Sequence, residues 1–122
     1  MKKIWLAGAL AAAAMSASGD AHHAFNMYDN SVYTKLVGTV KSYTWRNPHV
    51  MIEFVAQTKS GPQDWTIECS SPNIIGRRGW TPTSIKVGDK LPFTVHPMKN
   101  GKMYALAVAT TLPNGTVLKD KE

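Results

Sequence analysis

Four histidines are the residues best suited to chemistry in this chain: His22, His23, His49 and His96. If His22 opened the mature chain, its α-amine and ring nitrogen would chelate one metal ion, and further imidazoles would complete the site. Amine and imidazole nitrogens in a flattened arrangement suit Cu(II) best among the first-row ions. The sequence therefore predicts a copper site with His22 and His49 as principal ligands and His23 or His96 assisting.

This terminal chelate requires that the chain be processed. A basic start at residues 1–3 precedes an apolar run over residues 4–15, and small residues continue to Ala21. That order is typical of a secretory signal peptide. The apolar run has about 12 residues, whereas a membrane-spanning helix needs about 20. We therefore expect a cleaved signal rather than a retained anchor.

The cleavage position decides which residue becomes the new amino terminus. Gly19 and Ala21 place small residues at the −3 and −1 positions, which predicts cleavage after Ala21, with Ala17 as the alternative. We expect a signal peptide over residues 1–21 and a single domain over residues 22–122, without a later membrane span. The predicted location is periplasmic or secreted.

Two of the histidines fall at the ends of predicted strands. His49 begins a strand and lies on the face opposite its apolar residues, and His96 ends another strand in the same way. Both are therefore expected to be open to a ligand. The alternative for each is structural: His49 would fix the turn after Asn47-Pro48, and His96 would be a polar surface or hydrogen-bonded residue.

Sulfur-containing residues give weaker signals. Met51 shares a strand face with His49, and a thioether prefers Cu(I), but methionine is also a common core filler. Cys69 alternates with Trp65 and Ile67, which predicts a buried apolar residue in the core. A single cysteine excludes an intramolecular disulfide.

Hydrophobic alternation and turn residues predict the elements that carry these side chains. Strands are expected over residues 35–43, 49–57, 64–69, 90–96 and 103–111, with a short helix within residues 70–79. Gly38 predicts a bend or bulge, and Asn100-Gly101 predicts a hairpin. Three strands, a helix and two strands follow the order of an OB-fold, a five-stranded, partly open barrel. A small sandwich of the same strands is the alternative.

The sequence contains no motif that is typical of a conventional enzyme class. Ser70 and Ser71 lack a nucleophile elbow, and Glu53, Glu68 and Asp64 are not spaced as an acid–base pair. Phosphate loops, zinc-binding cysteine pairs and haem motifs are absent from the sequence. The net charge of +6 is scattered, and export argues against nucleic acid as the partner. No catalytic residue is therefore predicted.

The expected partners are a metal ion, a small ligand or a periplasmic protein. A protein that stores, delivers or senses copper is the leading hypothesis. The competing hypothesis is a metal-free accessory module that binds through the barrel face and the loop residues Trp45 and Trp80, although either tryptophan could instead cover the core. A copper oxidase-like enzyme built on the same terminus is a third hypothesis.

Several short motifs run through almost the whole mature chain: His22-His23-Ala24-Phe25, Gly38-Thr39-Val40, Trp45-Arg46-Asn47-Pro48-His49-Val50, Ser71-Pro72-Asn73, Arg77-Arg78-Gly79-Trp80-Thr81, Val87-Gly88-Asp89 and His96-Pro97. In these motifs the chain resembles a family of small exported bacterial proteins of uncharacterised function. The resemblance implies signal cleavage just before His22 and places His23, His49 and His96 at motif positions. The chain departs from the family pattern at Cys69-Ser70, where glycines are common. The resemblance implies no particular activity.

Overall fold

The computed structural model describes residues 26–121. The elements in chain order are β1 (Thr34–Thr44), β2 (Met51–Thr58), β3 (Gly61–Glu68), α1 (Pro72–Gly76), β4 (Lys90–Pro97), β5 (Tyr104–Thr111) and β6 (Val117–Lys119). The first five strands and the helix between β3 and β4 confirm the predicted element order. The predicted signal peptide over residues 1–21 lies outside the described residues.

Strand pairing closes the first five strands into a barrel. The order is β3-β2-β1-β4-β5-β6, with antiparallel neighbours, and β3 also pairs with β5 in parallel. The closed mixed barrel confirms the predicted OB-like architecture over a sandwich. The sixth strand continues the sheet beyond β5.

The barrel interior is filled by the alternating apolar faces of the strands. In β2 the side chains of Ile52, Phe54 and Ala56 are buried, whereas Glu53 and Gln57, on the opposite face of the strand, are exposed. Phe54 meets Phe93 of β4 edge to face, with ring centroids 5.5 Å apart. This period of two explains why the sequence pattern predicted β2 well.

Gly38 lets β1 and β2 approach closely. A Cβ atom at this position would overlap the Val55 carbonyl oxygen of β2. The register irregularity of β1 lies between Val40 and Ser42, so the expected bulge at Gly38 was misplaced by a few residues. Glycine is required at position 38 because there is no room for a side chain.

The helix and its following turn complete one end of the core. The Ser71 side chain caps α1 by accepting a hydrogen bond from the Ile74 N–H at 3.4 Å. Trp80 is buried, and its Nε1–H donates to the Lys119 carbonyl at 3.1 Å. Trp80 is therefore a core residue, whereas Trp45 is half-buried against the core.

The segment after β5 packs against the barrel. Residues 114–121 contain the short strand β6, which was not predicted, and the fully buried Asp120. The Asp120 carboxylate accepts hydrogen bonds from the Ser70 N–H at 2.7 Å and the Ser70 hydroxyl at 2.5 Å. Arg78 lies 3.9 Å away. The chain after β5 thus fixes the junction between β3 and α1.

Candidate metal centre

His49 is held by the backbone at the end of the β2–β3 ladder. It follows the cis Asn47–Pro48 bond, and Val50 next to it pairs with Cys69 through the Cys69 N–H to Val50 carbonyl hydrogen bond of 2.8 Å. The His49 Nδ1 atom lies 3.2 Å from the Cys69 carbonyl oxygen. Because a carbonyl oxygen can only accept, Nδ1 carries the proton, and Nε2 is the nitrogen that can offer a lone pair.

The Nε2 atom of His49 lies beside a carboxylate. Glu68 ends β3, and its Oε1 is 3.4 Å from His49 Nε2. The two side chains differ in accessibility: 42% of the His49 side chain and 16% of the Glu68 side chain are exposed. The structure therefore brings a half-exposed imidazole and a largely buried carboxylate to one point on the surface.

The second carboxylate oxygen of Glu68 accepts hydrogen bonds from two phenols. The Tyr28 hydroxyl donates to Oε2 at 2.7 Å, and the Tyr104 hydroxyl lies 3.4 Å from the same atom. Burial raises the pKa of Tyr28, and the hydrogen bond to Glu68 raises it further. Burial also raises the pKa of Tyr104, with the Glu68 charge as the second cause. Both phenols therefore remain protonated donors at neutral pH.

An open pocket of about 430 Å³ lies in front of these groups. Three of its lining residues, His49, Glu68 and Met51, carry nitrogen, oxygen and sulfur atoms of the kinds that bind metals. The full lining is Thr44, Arg46, Asn47, Pro48, His49, Met51, Glu68 and Tyr104. Met51 is the register partner of Glu68 on the neighbouring strand. Met51 and His49 both line the pocket, in agreement with the expected shared strand face.

The described chain begins beside this pocket. Tyr28 forms an antiparallel bridge with Met98, and the Asp29 N–H donates to the Pro97 carbonyl at 2.8 Å. These contacts dock residues 27–29 along the end of β4, with the Tyr28 hydroxyl on Glu68. His22 and His23 lie outside the described residues, so their role as ligands stays a prediction.

His96 lies in a different environment from His49. Its Nδ1–H donates to the Val32 carbonyl at 2.8 Å, and its ring centroid is 4.7 Å from that of Tyr33. It is on the outer face, as expected, but is 5% exposed and does not line the pocket. Leu106 of β5 pairs with His96 on one side and with Glu68 of β3 on the other. The backbones at His96 and Glu68 are therefore two strand spacings apart, or about 10 Å. Assistance from His96 stays a prediction, and the hydrogen bond to Val32 gives it a structural role.

The described residues supply a pair of ligands rather than a complete site. Within residues 26–121, no three His, Cys, Asp or Glu side chains are grouped so that they could hold one metal ion. A site at His49 and Glu68 therefore needs further donors, from Met51 or from the chain before residue 26. Cys69 contributes its carbonyl to the site, while its thiol is buried, as expected.

Sequence reasoning missed Glu68, Tyr28 and Tyr104. For Glu68 a signal was present, because the turn near Gly61 fixes the β2–β3 register, and counting outward from it pairs Met51 with Glu68. The two tyrosines had no comparable signal. They reach Glu68 from positions 40 and 36 residues away, on segments whose packing no local pattern specifies.

A family model described as a family of unknown function (DUF6152) matches residues 9–107. The chain belongs to the DUF6152 family. The residues that match include all four histidines together with Glu68, Tyr28 and Tyr104, so the DUF6152 region contains the whole candidate site. No curated protein and no solved structure matches this DUF6152 chain. None of the helices in residues 26–121 has the length and apolar character needed to cross a bilayer.

Proposed function

We propose that this DUF6152 protein is an exported metal-binding protein that holds a copper ion between His49 and the processed amino terminus at His22. His23 or His96 assists, and the protein stores or delivers the ion. The observation that carries the proposal is the orientation of His49. Metal-binding histidines usually donate their other ring N–H to a carbonyl or carboxylate, as His49 Nδ1 donates to Cys69 at 3.2 Å. Its Nε2 is thereby directed to a ligand.

The position of Tyr28 supports a contribution from the amino terminus. Tyr28 is hydrogen bonded to Glu68, the neighbour of His49, and it follows His22 by six positions. An extended segment of that length spans at most about 20 Å. An amine at His22 is therefore within reach of the pocket when the chain is cleaved after Ala21.

The donor chemistry supports copper. An α-amine and imidazoles suit Cu(II), and the thioether of Met51 in the same pocket suits Cu(I). Binding in both oxidation states fits a protein that carries copper.

Two preparations of the mature protein test the proposal: one begins at His22, and the other carries one extra glycine before it. Both are titrated with Cu(II) against a competing chelator, and His49→Ala is made in the first. We expect tight 1:1 binding of Cu(II) by the protein that begins at His22. The extra glycine should weaken this binding about 100-fold, or roughly 2.7 kcal/mol. His49→Ala should also bind more weakly than the unextended wild type. Equal affinity for the two termini, or no binding by either, would contradict the terminal chelate.

A metal-free exported accessory module is the second candidate. The open pocket favours it, because its volume and its exposed Arg46 suit a small polar ligand. Trp80 does not contribute, since it is buried in the core. A small-ligand thermal-shift screen on metal-free protein, with Arg46→Ala as the control, distinguishes this candidate. Redox turnover by the copper-loaded protein would instead favour the oxidase-like enzyme.

The site of processing is tested separately. Mass spectrometry of the protein recovered from the periplasm or medium of an expressing bacterium should give a mass that begins at His22. A mature chain that begins well upstream of His22 would remove the terminal amine from the proposed site.

A further inference from the structure

We infer that Glu68 is itself a metal ligand through Oε1, and that Tyr28 positions it by holding Oε2. The inference rests on the proposed metal-binding function and assigns a ligand that the histidine pattern alone does not include. It also gives the docked segment at residues 27–29 a role in the site, because Tyr28 belongs to that segment.

The separation of the pair suits two ligand atoms of one ion. His49 Nε2 and Glu68 Oε1 are 3.4 Å apart, the distance of an ion pair when His49 is protonated; with a proton on Nδ1 alone, both atoms can coordinate one ion. An ion about 2.05 Å from each atom, a usual distance for nitrogen and oxygen ligands, would subtend an angle of about 110°. That is the angle of a tetrahedral centre, so neither side chain has to move. Zn(II) takes this tetrahedral geometry, whereas a flattened Cu(II) site would need the two atoms to move from 3.4 Å to about 2.9 Å apart.

The two oxygens of Glu68 have separate partners. Oε1 is next to His49, whereas Oε2 accepts the hydrogen bond from Tyr28 at 2.7 Å and lies near the Tyr104 hydroxyl. Carboxylates that bind metals are themselves held by hydrogen bonds, and loss of such a partner typically weakens binding about 10–100-fold. The arrangement around Glu68 has this form.

The charges around the pocket agree with a cation at this point. Glu68 brings a negative charge that is 16% exposed, so solvent screens it weakly. Arg46 lines the pocket but is exposed, and water screens its repulsion of a cation. Met51, opposite Glu68, offers a third donor without charge.

The test uses mature protein that begins at His22, titrated with Zn(II) and with Co(II), whose visible spectrum reports the ligand set. Glu68→Gln keeps the size of the side chain and removes its charge. Glu53→Gln is the matched control, because Glu53 is an exposed carboxylate of β2 that bonds the Thr66 hydroxyl. We expect Glu68→Gln to weaken Zn(II) binding about 10–100-fold and to change the Co(II) spectrum, while Glu53→Gln leaves both unchanged.

Tyr28→Phe tests the positioning role. It removes one hydroxyl and keeps the ring, so we expect about 10-fold weaker binding together with shifted Co(II) bands. A purely structural contribution of Tyr28 would lower the melting temperature and leave the spectrum of the bound metal unchanged, and that outcome would overturn its assignment as a positioning residue.

The failure of this inference is distinguishable from failure of the proposed function. If His49→Ala abolishes binding while Glu68→Gln binds like the wild type, Glu68 is not a ligand and the proposed function stands. If neither the wild-type protein nor any variant binds metal, both the inference about Glu68 and the proposed function are wrong. Should Glu68→Gln fail to fold, Glu68→Ala is read by the same criteria after its circular dichroism is checked.

Discussion

Replacing Asp120 by alanine should destabilise the protein far more than its position near the end of the sequence would suggest. The Asp120 side chain is 0% exposed and accepts two hydrogen bonds from Ser70, at 2.7 Å from the backbone N–H and 2.5 Å from the hydroxyl. Arg78 lies 3.9 Å from the same carboxylate. Alanine would leave both Ser70 donors without their acceptor and would open a cavity between β3 and α1.

The magnitude follows from the two hydrogen bonds. A hydrogen bond to a charged group contributes about 1.5–3 kcal/mol. Ser70 is half-buried, so water replaces part of the loss, and the lower value for each bond gives about 3 kcal/mol in total. For a domain of this size, 1 kcal/mol corresponds to about 4–8 °C, so the melting temperature should fall by about 12–24 °C.

Thermal and urea unfolding, followed by circular dichroism, measure the change. Asp64→Ala is the control, because the Asp64 side chain is 78% exposed and its ion pair with Lys41 should contribute less than about 0.5 kcal/mol. Asp120→Asn keeps one acceptor oxygen and should fall between Asp120→Ala and the wild type. If Asp120→Ala were as stable as Asp64→Ala, the reasoning from buried hydrogen bonds would be refuted.

Three further predictions concern other parts of the barrel. Gly38→Ala should destabilise by about 3 kcal/mol or prevent folding, because its Cβ would overlap the Val55 carbonyl; a urea midpoint near that of the wild type would contradict this. Tyr43→Phe should cost about 1 kcal/mol at pH 7 by removing the 2.7 Å hydrogen bond to the Thr81 carbonyl. Burial raises the pKa of Tyr43 in the folded protein. The stabilisation is therefore complete below the pKa of the unfolded chain, about 10, and is lost as the pH rises above that value. The difference in free energy of unfolding between Tyr43→Phe and the wild type should shrink in urea titrations at alkaline pH. Burial also raises the pKa of the Cys69 thiol, so a maleimide should label it at pH 8 only after unfolding, and rapid labelling of the native protein would show that the thiol is accessible.

The parts of the fold that depend on local sequence patterns could be predicted. The alternation in β2 and the glycine turns specify strand after strand, and the serine and proline before α1 specify its start. The order of these elements then restricts the topology to a few barrels and sandwiches. Strand β6 could not be predicted, because three residues in a polar segment are too few to show a hydrophobic alternation.

The candidate site was predictable only in part. His49 stood out by residue type and by its place before a strand, and the β2–β3 register could have added Glu68. The hydrogen bond between Tyr28 and Glu68 joins residues 40 positions apart, and that between Ser70 and Asp120 joins residues 50 apart. Such contacts depend on how whole segments pack, and neither residue of each pair has an unusual sequence neighbourhood.

The parallel seam of the barrel has a consequence for its dynamics. β3 and β5 pair over three residues, Thr66–Glu68 with Tyr104–Leu106, whereas β2 and β3 pair over eight. Local opening of a closed sheet is easiest where few residues pair, as they do at this seam. The Tyr28 and Tyr104 hydroxyls both contact Glu68, which lies on the seam. Amide hydrogen exchange at Thr66, whose N–H donates to the Met103 carbonyl across the seam at 3.1 Å, would therefore report how firmly these phenols hold the seam closed, and a ligand that binds Glu68 should slow this exchange.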